Sequence, residues 1–149
     1  MPKTFDKFQD LKYNDVEKWN ELKGFYRYKR DNLNSGLRDY KCAKELSDIG
    51  IKGVIHIPAK FIDINKLSFN DIHVNVEKNH NVSEEEAKEY ITNAILSITK
   101  RQGLSENYYS KQGVSYVNPH ELEIKTAFSS SEFKGDAKKI MEVIEKYGY

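Results

Sequence analysis

Residues 95–128 read ILSITKRQGLSENYYSKQGVSYVNPHELEIKTAF, and the alternation of polar and apolar residues through them decides the fold. Four strands are predicted here: Ile95 to Arg101, Ser105 to Ser110, Val114 to Asn118 and Leu122 to Phe128. Gln102-Gly103, Lys111-Gln112-Gly113 and Pro119-His120 separate them, and glycine, proline and polar residues at such spacing are turn signals. Connections this short cannot make a parallel crossover, which takes about a dozen residues or more. The expected sheet is therefore a four-stranded antiparallel meander. Alternation places Asn107 and Tyr109 on one face and Tyr108 on the other, and sets Ile124, Thr126 and Phe128 against Lys125 and Ala127. Lys125 and Thr126 share a face only if a bulge intervenes.

On either side of the meander the period is helical. Ser83 followed three residues later by Glu86 is a capping box, with Val82 and Ala87 at the staple positions. Ala87, Tyr90, Ile91 and Ala94 then recur on one face, leaving Glu84, Glu85, Lys88 and Glu89 solvated. After the break at Ser129 to Ser131, Asp136 is the expected cap of a closing helix that packs Ile140, Val143, Ile144 and Tyr147 on the sheet. Upstream, Leu37 to Ile49 presents Tyr40, Ala43, Leu46 and Ile49 on one side and stops at Gly50. VIHIP at 54–58 is a short strand closed by Pro58, and Lys60 to Leu67 is a connector. Over 1–34 two further helical pieces are expected, the second with Val16, Trp19, Leu22 and Phe25 at threefold spacing. It ends in FYRYKRDN, which interleaves aromatics with Arg27, Lys29 and Arg30, a pattern able to stack bases and hold phosphates. The same run also reads as an amphipathic helix end with cations favoured by the dipole. Helices first, then the sheet, then a closing helix make the class α+β with segregated elements.

The chain has 149 residues, 38% hydrophobic and 32% charged, which fits one soluble domain with a fair core. A formal charge of +1 gives no global attraction to nucleic acid, so any such binding must come from local clusters. Nothing spans a membrane, and Met-Pro-Lys-Thr lacks the apolar run of a secretory signal. The single Cys42 makes no internal disulfide. A reduced cytoplasm, or export by a route without a signal peptide, is expected.

Chemistry concentrates just ahead of the capped helix, in DIHVNVEKNH at 71–80. His73, Lys78 and His80 bring two imidazoles and a cation together beside Asp71, which could orient a ring. Histidine is the side chain that takes and gives protons near neutral pH. In a continuous helix the two rings would lie on one face roughly 10 Å apart, and a looped path brings them closer. The plainer reading is two solvated histidines in a polar loop. Zinc is disfavoured, because two histidines at this spacing lack further ligands and Cys42 is remote. His56, alone in a strand, reads as structural.

The segments FNDIHVNVEKNHNVSEEEAKEYI, AILSITKRQGLSENYYSKQGVSYV and EIKTAF resemble, in content and order, the phage-associated members of the barnase, EndoU, colicin and RelE-like nucleases. These are toxin domains at the C-termini of MuF-type phage head proteins. The resemblance spans roughly Ile62 to Tyr147, and FDKFQDLKYNDVEKWNELKGFYRYKR looks like the segment that precedes such domains. It implies a helical connecting segment over 1–34 and a ribonuclease-like toxin domain over 35–149. The implied activity is metal-independent and cofactor-free cleavage of RNA, with tRNA among the candidate substrates, inside a target cell. A neutralising immunity or antitoxin protein is the implied partner. Carried over by position, the catalytic set is His73, His80, Thr126 and Tyr109, and the substrate-binding set is Lys78, Lys125 and Tyr108. Relatives often carry arginine where this chain has Lys125 and Asn79, so the phosphate grip would rest on lysines, point charges rather than planar forks.

Such a site runs transesterification: a base takes the ribose 2′-OH proton, the oxygen attacks phosphorus, and an acid protonates the departing 5′ oxygen. Two other classes compete. A non-enzymatic phage accessory or neutralising partner fits the near-zero charge. An ADP-ribosyltransferase would need Arg, Ser-Thr-Ser and Glu-x-Glu in order, and only the spacing of Glu121 and Glu123 approaches that.

Overall fold

The computed structural model of the chain describes residues 36–149. The helical pieces expected over 1–34 and the FYRYKRDN run lie outside the described residues. The chain divides into two compact units, Met1–Lys41 and Cys42–Tyr149, and the second contains the sheet.

A helix over 36–48, α1, ends at Gly50, whose φ of 97° suits glycine. Cys42 and Leu46 are its fully buried positions. The apolar stripe is narrower than expected, since Ile49 is exposed. The strands that follow are β1 (Val54–His56), β2 (Ser68–Phe69), β3 (Leu96–Lys100), β4 (Ser105–Tyr109), β5 (Gly113–Asn118) and β6 (Glu123–Ser129). They form one six-stranded mixed sheet in the order β1-β3-β4-β5-β6-β2.

The four expected strands are the centre of this sheet, each antiparallel to the next. The four-stranded antiparallel sheet is nevertheless corrected at both edges. On one side β1 pairs antiparallel with β3, Val54 opposite Thr99. On the other β2 pairs parallel with β6, the Ser68 N–H donating to the Leu122 carbonyl at 2.9 Å and the Asn70 N–H to that of Ile124 at 3.1 Å. A bare meander leaves two rows of unpaired N–H and C=O groups, and the segments upstream of it cover both. The parallel pair is reachable because its connection is everything from 70 to 122. Two residues carry no alternation to read, so β2 left no signal in the sequence.

Each face of the sheet carries a core. On one, helix α2 (Glu84–Thr92) brings Ala87, Tyr90 and Ile91 onto Tyr108, Val117, Ile124 and Ala127. Both halves of its capping box form, Ser83 Oγ accepting from Glu86 N–H and Glu86 Oε1 from Ser83 N–H, each at 3.1 Å. On the other, helix α3 (Gly135–Lys146) buries Ile140, Val143 and Ile144 with Leu96, Ile98, Tyr109 and Val114, beside Cys42 and Leu46 of α1. Asp136 is not its cap. The helix begins one residue earlier, after an extended Lys134 whose side chain makes no capping bond, and Asp136 sits in the first turn, where its charge complements the dipole.

One irregularity sets up the site. Tyr116 pairs with Thr126 and the next residue, Val117, pairs with Ile124, so Lys125 is an unpaired extra residue in β6. The bulge changes the parity expected for this strand: Ile124 and Ala127 face α2 together. Lys125 and Thr126 border one cavity on the opposite side.

Candidate functional site

Helix α3 and the part of α1 from Cys42 onward cover only part of their face of the sheet. Over the remainder, two adjoining chambers of about 600 and 660 Å³ share His73, Tyr116 and Thr126 as their common wall. The larger is completed by Lys78, His80, Phe128, Glu132 and Phe133.

His73 lies in a single π-helical segment, Ile72–Glu77, a wide turn that recurs at functional sites. Its entry is fixed by Asn70, whose Oδ1 accepts the His73 N–H at 3.1 Å. Its exit is fixed by Asn75. That amide donates to the Val82 carbonyl at 2.7 Å and accepts the Val82 N–H at 2.8 Å, clamping the loop from 76 to 82. Within the loop Asn79 and Asn81 take φ of 54° and 57°, a region asparagine enters more readily than other side chains. The His80 N–H returns to the Val74 carbonyl at 2.9 Å. The looped path, not a continuous helix, therefore brings both histidines to one chamber.

Each ring has a carboxylate partner, and in neither case is it Asp71, which accepts from Asn75 instead. His73 Nδ1 lies 3.1 Å from Glu77 Oε2 at the surface. His80 Nδ1 lies 2.9 and 3.1 Å from the two oxygens of Glu132, with the imidazole side chain only 19% exposed. A carboxylate on Nδ1 fixes the ring and leaves Nε2 as the nitrogen available for proton transfer. The His80 ring also lies 5.7 Å from Phe128, in an aromatic row that continues to Tyr116 at 5.7 Å and Phe133 at 6.1 Å. The row forms an aromatic floor to the chamber. Burial pushes the Tyr116 hydroxyl above the usual tyrosine range, so it stays protonated and can donate into the site.

Of the residues singled out in the sequence, His73, Lys78, His80 and Thr126 line one chamber. Lys125 borders the neighbouring one, where Glu121 and Glu123 both pair with its ammonium and hold its pKa above the ordinary lysine value, the Glu121 hydrogen bond contributing most. Those two glutamates are thus engaged by Lys125. Tyr109 is not at the wall. It is buried beneath Tyr116, ring centroids 6.3 Å apart, and desolvation drives its pKa far up. Tyr108 stands on the opposite face, its hydroxyl donating to the Lys60 carbonyl at 2.9 Å. His56 hydrogen-bonds Thr99 across the β1–β3 edge, and His120 is exposed in the turn before β6. Among the described residues no three His, Cys, Asp or Glu side chains are grouped to hold a metal ion, and no helix is long and apolar enough to cross a membrane.

Sequence reasoning missed Tyr116, Asn107, Arg101 and Glu132. Tyr116 and Asn107 were within reach, since the alternation that placed Asn107 with Tyr109 also aligns Tyr116 with them across the β4–β5 ladder. Glu132 had no local signal: it meets His80 from 52 residues away. No family model matches the chain, and no curated protein or solved structure matches it.

Proposed function

We propose that this chain is a metal-independent ribonuclease toxin that cuts RNA by transesterification through the ribose 2′-OH. The observation that carries the reading is the meeting of His73, Lys78, His80 and Thr126, drawn from the π-helical segment, its loop and β6, around one chamber. Two imidazoles, each steadied by a carboxylate, supply a base and an acid; cations and hydroxyls beside them supply charge stabilisation.

In the reaction one histidine removes the 2′-OH proton, and the 2′ oxygen forms a bond to phosphorus. The bond from phosphorus to the 5′ oxygen breaks, and the other histidine protonates that leaving oxygen. The products are a 2′,3′-cyclic phosphate and a free 5′-OH. Thr126 and the protonated Tyr116 donate hydrogen bonds to the non-bridging oxygens as their charge grows, and Lys78 adds a cation. Each such donor typically lowers the barrier by about 2 to 4 kcal/mol. Chemistry that begins at the 2′-OH leaves DNA uncut.

The test is incubation of the purified chain with total tRNA in excess EDTA, beside His73→Ala. Fragments ending in 2′,3′-cyclic phosphate from the unmodified chain alone are expected. Intact RNA with both proteins would overturn the reading in favour of a non-enzymatic binding module.

A further inference from the structure

The smaller chamber differs in chemistry from the one that holds both histidines. No aspartate or glutamate lines it, and three cations do: Lys100, Arg101 and Lys125. Lys125 is committed to Glu121 and Glu123, whereas among the described residues neither Lys100 nor Arg101 pairs with a carboxylate. Arg101 is set at the chamber by a turn in which it and Gln102 take φ of 53° and 58° before Gly103 at 93°. Two successive non-glycine residues in the left-handed region cost about 1–2 kcal/mol each, a strain that β3 and β4 on either side maintain.

The amides point the same way. Asn118 Oδ1 is filled by the backbone N–H groups of His120 and Glu121, at 2.9 and 3.0 Å. Asn107 is buried, and its Oδ1 accepts from the Ser105 hydroxyl at 2.7 Å. Asn70 Oδ1 is filled by the His73 N–H, and its amide nitrogen donates to Glu123. Every side-chain amide oxygen around the chamber is therefore occupied from within the protein, while among the described residues the Asn118 amide hydrogens and the heads of Lys100 and Arg101 are unspent. The wall offers donors and positive charge. An uncharged base edge would leave two cations without a counter-charge, whereas a phosphate group takes up both.

We infer that this chamber is a second phosphate subsite, holding the phosphate next to the scissile one on the same strand, with Arg101 and Lys100 as its principal ligands. The role as a substrate subsite rests on the ribonuclease reading; binding of the anion itself does not. His73 and Thr126, shared by both chambers, put the two phosphates on neighbouring positions of one chain. The site then prefers substrates that extend at least one phosphate beyond the cleaved bond.

The experiment is calorimetric titration of the full chain at low salt with the 2′-deoxy dinucleotide dTpdT, and with the same compound carrying an additional 5′- or 3′-terminal phosphate. None of these probes can be cleaved through a 2′-OH. Expected is about tenfold tighter binding with the added phosphate at one end, as a charge-assisted hydrogen-bonded contact warrants. That gain should disappear in Arg101→Gln and shrink in Lys100→Gln, and the slope of log Kd on log salt should fall by about 0.7. A gain at neither end, or one that survives both substitutions, overturns the subsite. So does a Kd that changes on replacing thymine with guanine and ignores the phosphate, which would mark a base pocket. The ribo counterparts are assayed for cleavage in parallel: if they stay intact while the phosphate gain holds, the ribonuclease reading falls and the anion site stands.

Discussion

The two faces of the sheet are built from the same strands and put to opposite uses. The face under α2 is sealed: Tyr108, Val117, Ile124 and Ala127 are nearly inaccessible, Ser115 Oγ donates to the Ala87 carbonyl at 2.7 Å, and Glu106 accepts the Thr99 hydroxyl on one carboxylate oxygen while the other is buried without a partner among the described residues. The other face is sealed only where α3 and the part of α1 from Cys42 onward lie on it, and beyond their reach Tyr116, Thr126 and Lys125 border open chambers. The difference teaches that burial, not residue type, decides which polar side chains are available for chemistry. Tyr108 and Tyr116 are both strand tyrosines with raised pKa values, in each case chiefly from desolvation, yet one hydroxyl is tied to a backbone carbonyl and the other, bonded to the Tyr109 hydroxyl beneath it, borders the cleft.

The widest separation between the faces should appear when a cleft residue is removed. His80→Ala is expected to lower RNA cleavage by about 10²- to 10⁴-fold, the usual span for a general acid or base, while the chain stays folded. Cleavage rates and circular dichroism on the same preparation read both. A variant that unfolds, or that cuts RNA at the original rate, would erase the distinction between an open working face and a sealed one. Glu132→Gln should fall between, because the ring loses its ionised partner but keeps a hydrogen bond.

How much of this was legible in the sequence follows from where each signal resides. The central strands, the capping box and the amphipathic face of α3 are written in local periodicity, so they could be read. Of the edge strands, β1 was read as a short strand but not its place beside β3, and β2 could not be read at all: it is two residues long, and its partner lies more than fifty positions away. At the site, the histidines were legible because the residue type is rare and suited to its task. Their orienting carboxylates were not, since Glu77 and Glu132 become partners only after the π-helical segment and the β6–α3 connection have formed. The bulge at Lys125 is the sharpest case. Alternation set Lys125 and Thr126 on opposite faces, and a single unpaired residue reversed that.

On the sealed face the corresponding probe is stability. A Cβ added at Gly113 would run into the ring of Tyr90, which α2 presses onto this strand. Gly113→Ala is expected to cost about 1–3 kcal/mol by overpacking. Melting followed by circular dichroism should show a fall of about 2–4 °C for each kcal/mol. The cut RNA per folded molecule should hardly change at temperatures where the variant is native. An unaltered melting temperature would mean that α2 is not packed down on β5.

The smallest effect is the most discriminating, because it removes a single oxygen from each face. Tyr108→Phe deletes the hydroxyl that donates to the Lys60 carbonyl and leaves the ring in place, so it should cost about 1 kcal/mol of stability. Cleavage should persist, since that hydroxyl is spent on the protein's own backbone on the face away from both chambers. Tyr116→Phe should slow cleavage, because its hydroxyl borders the chambers and stays protonated, and should also cost stability, because the buried Tyr109 hydroxyl loses its hydrogen bond to it. Denaturant titration and initial rates, measured on both variants, form a two-by-two comparison. If Tyr108→Phe lost activity while keeping its stability, the paired tyrosines would have to be reassigned to the substrate, and α2 would have to lift from the sheet during the reaction.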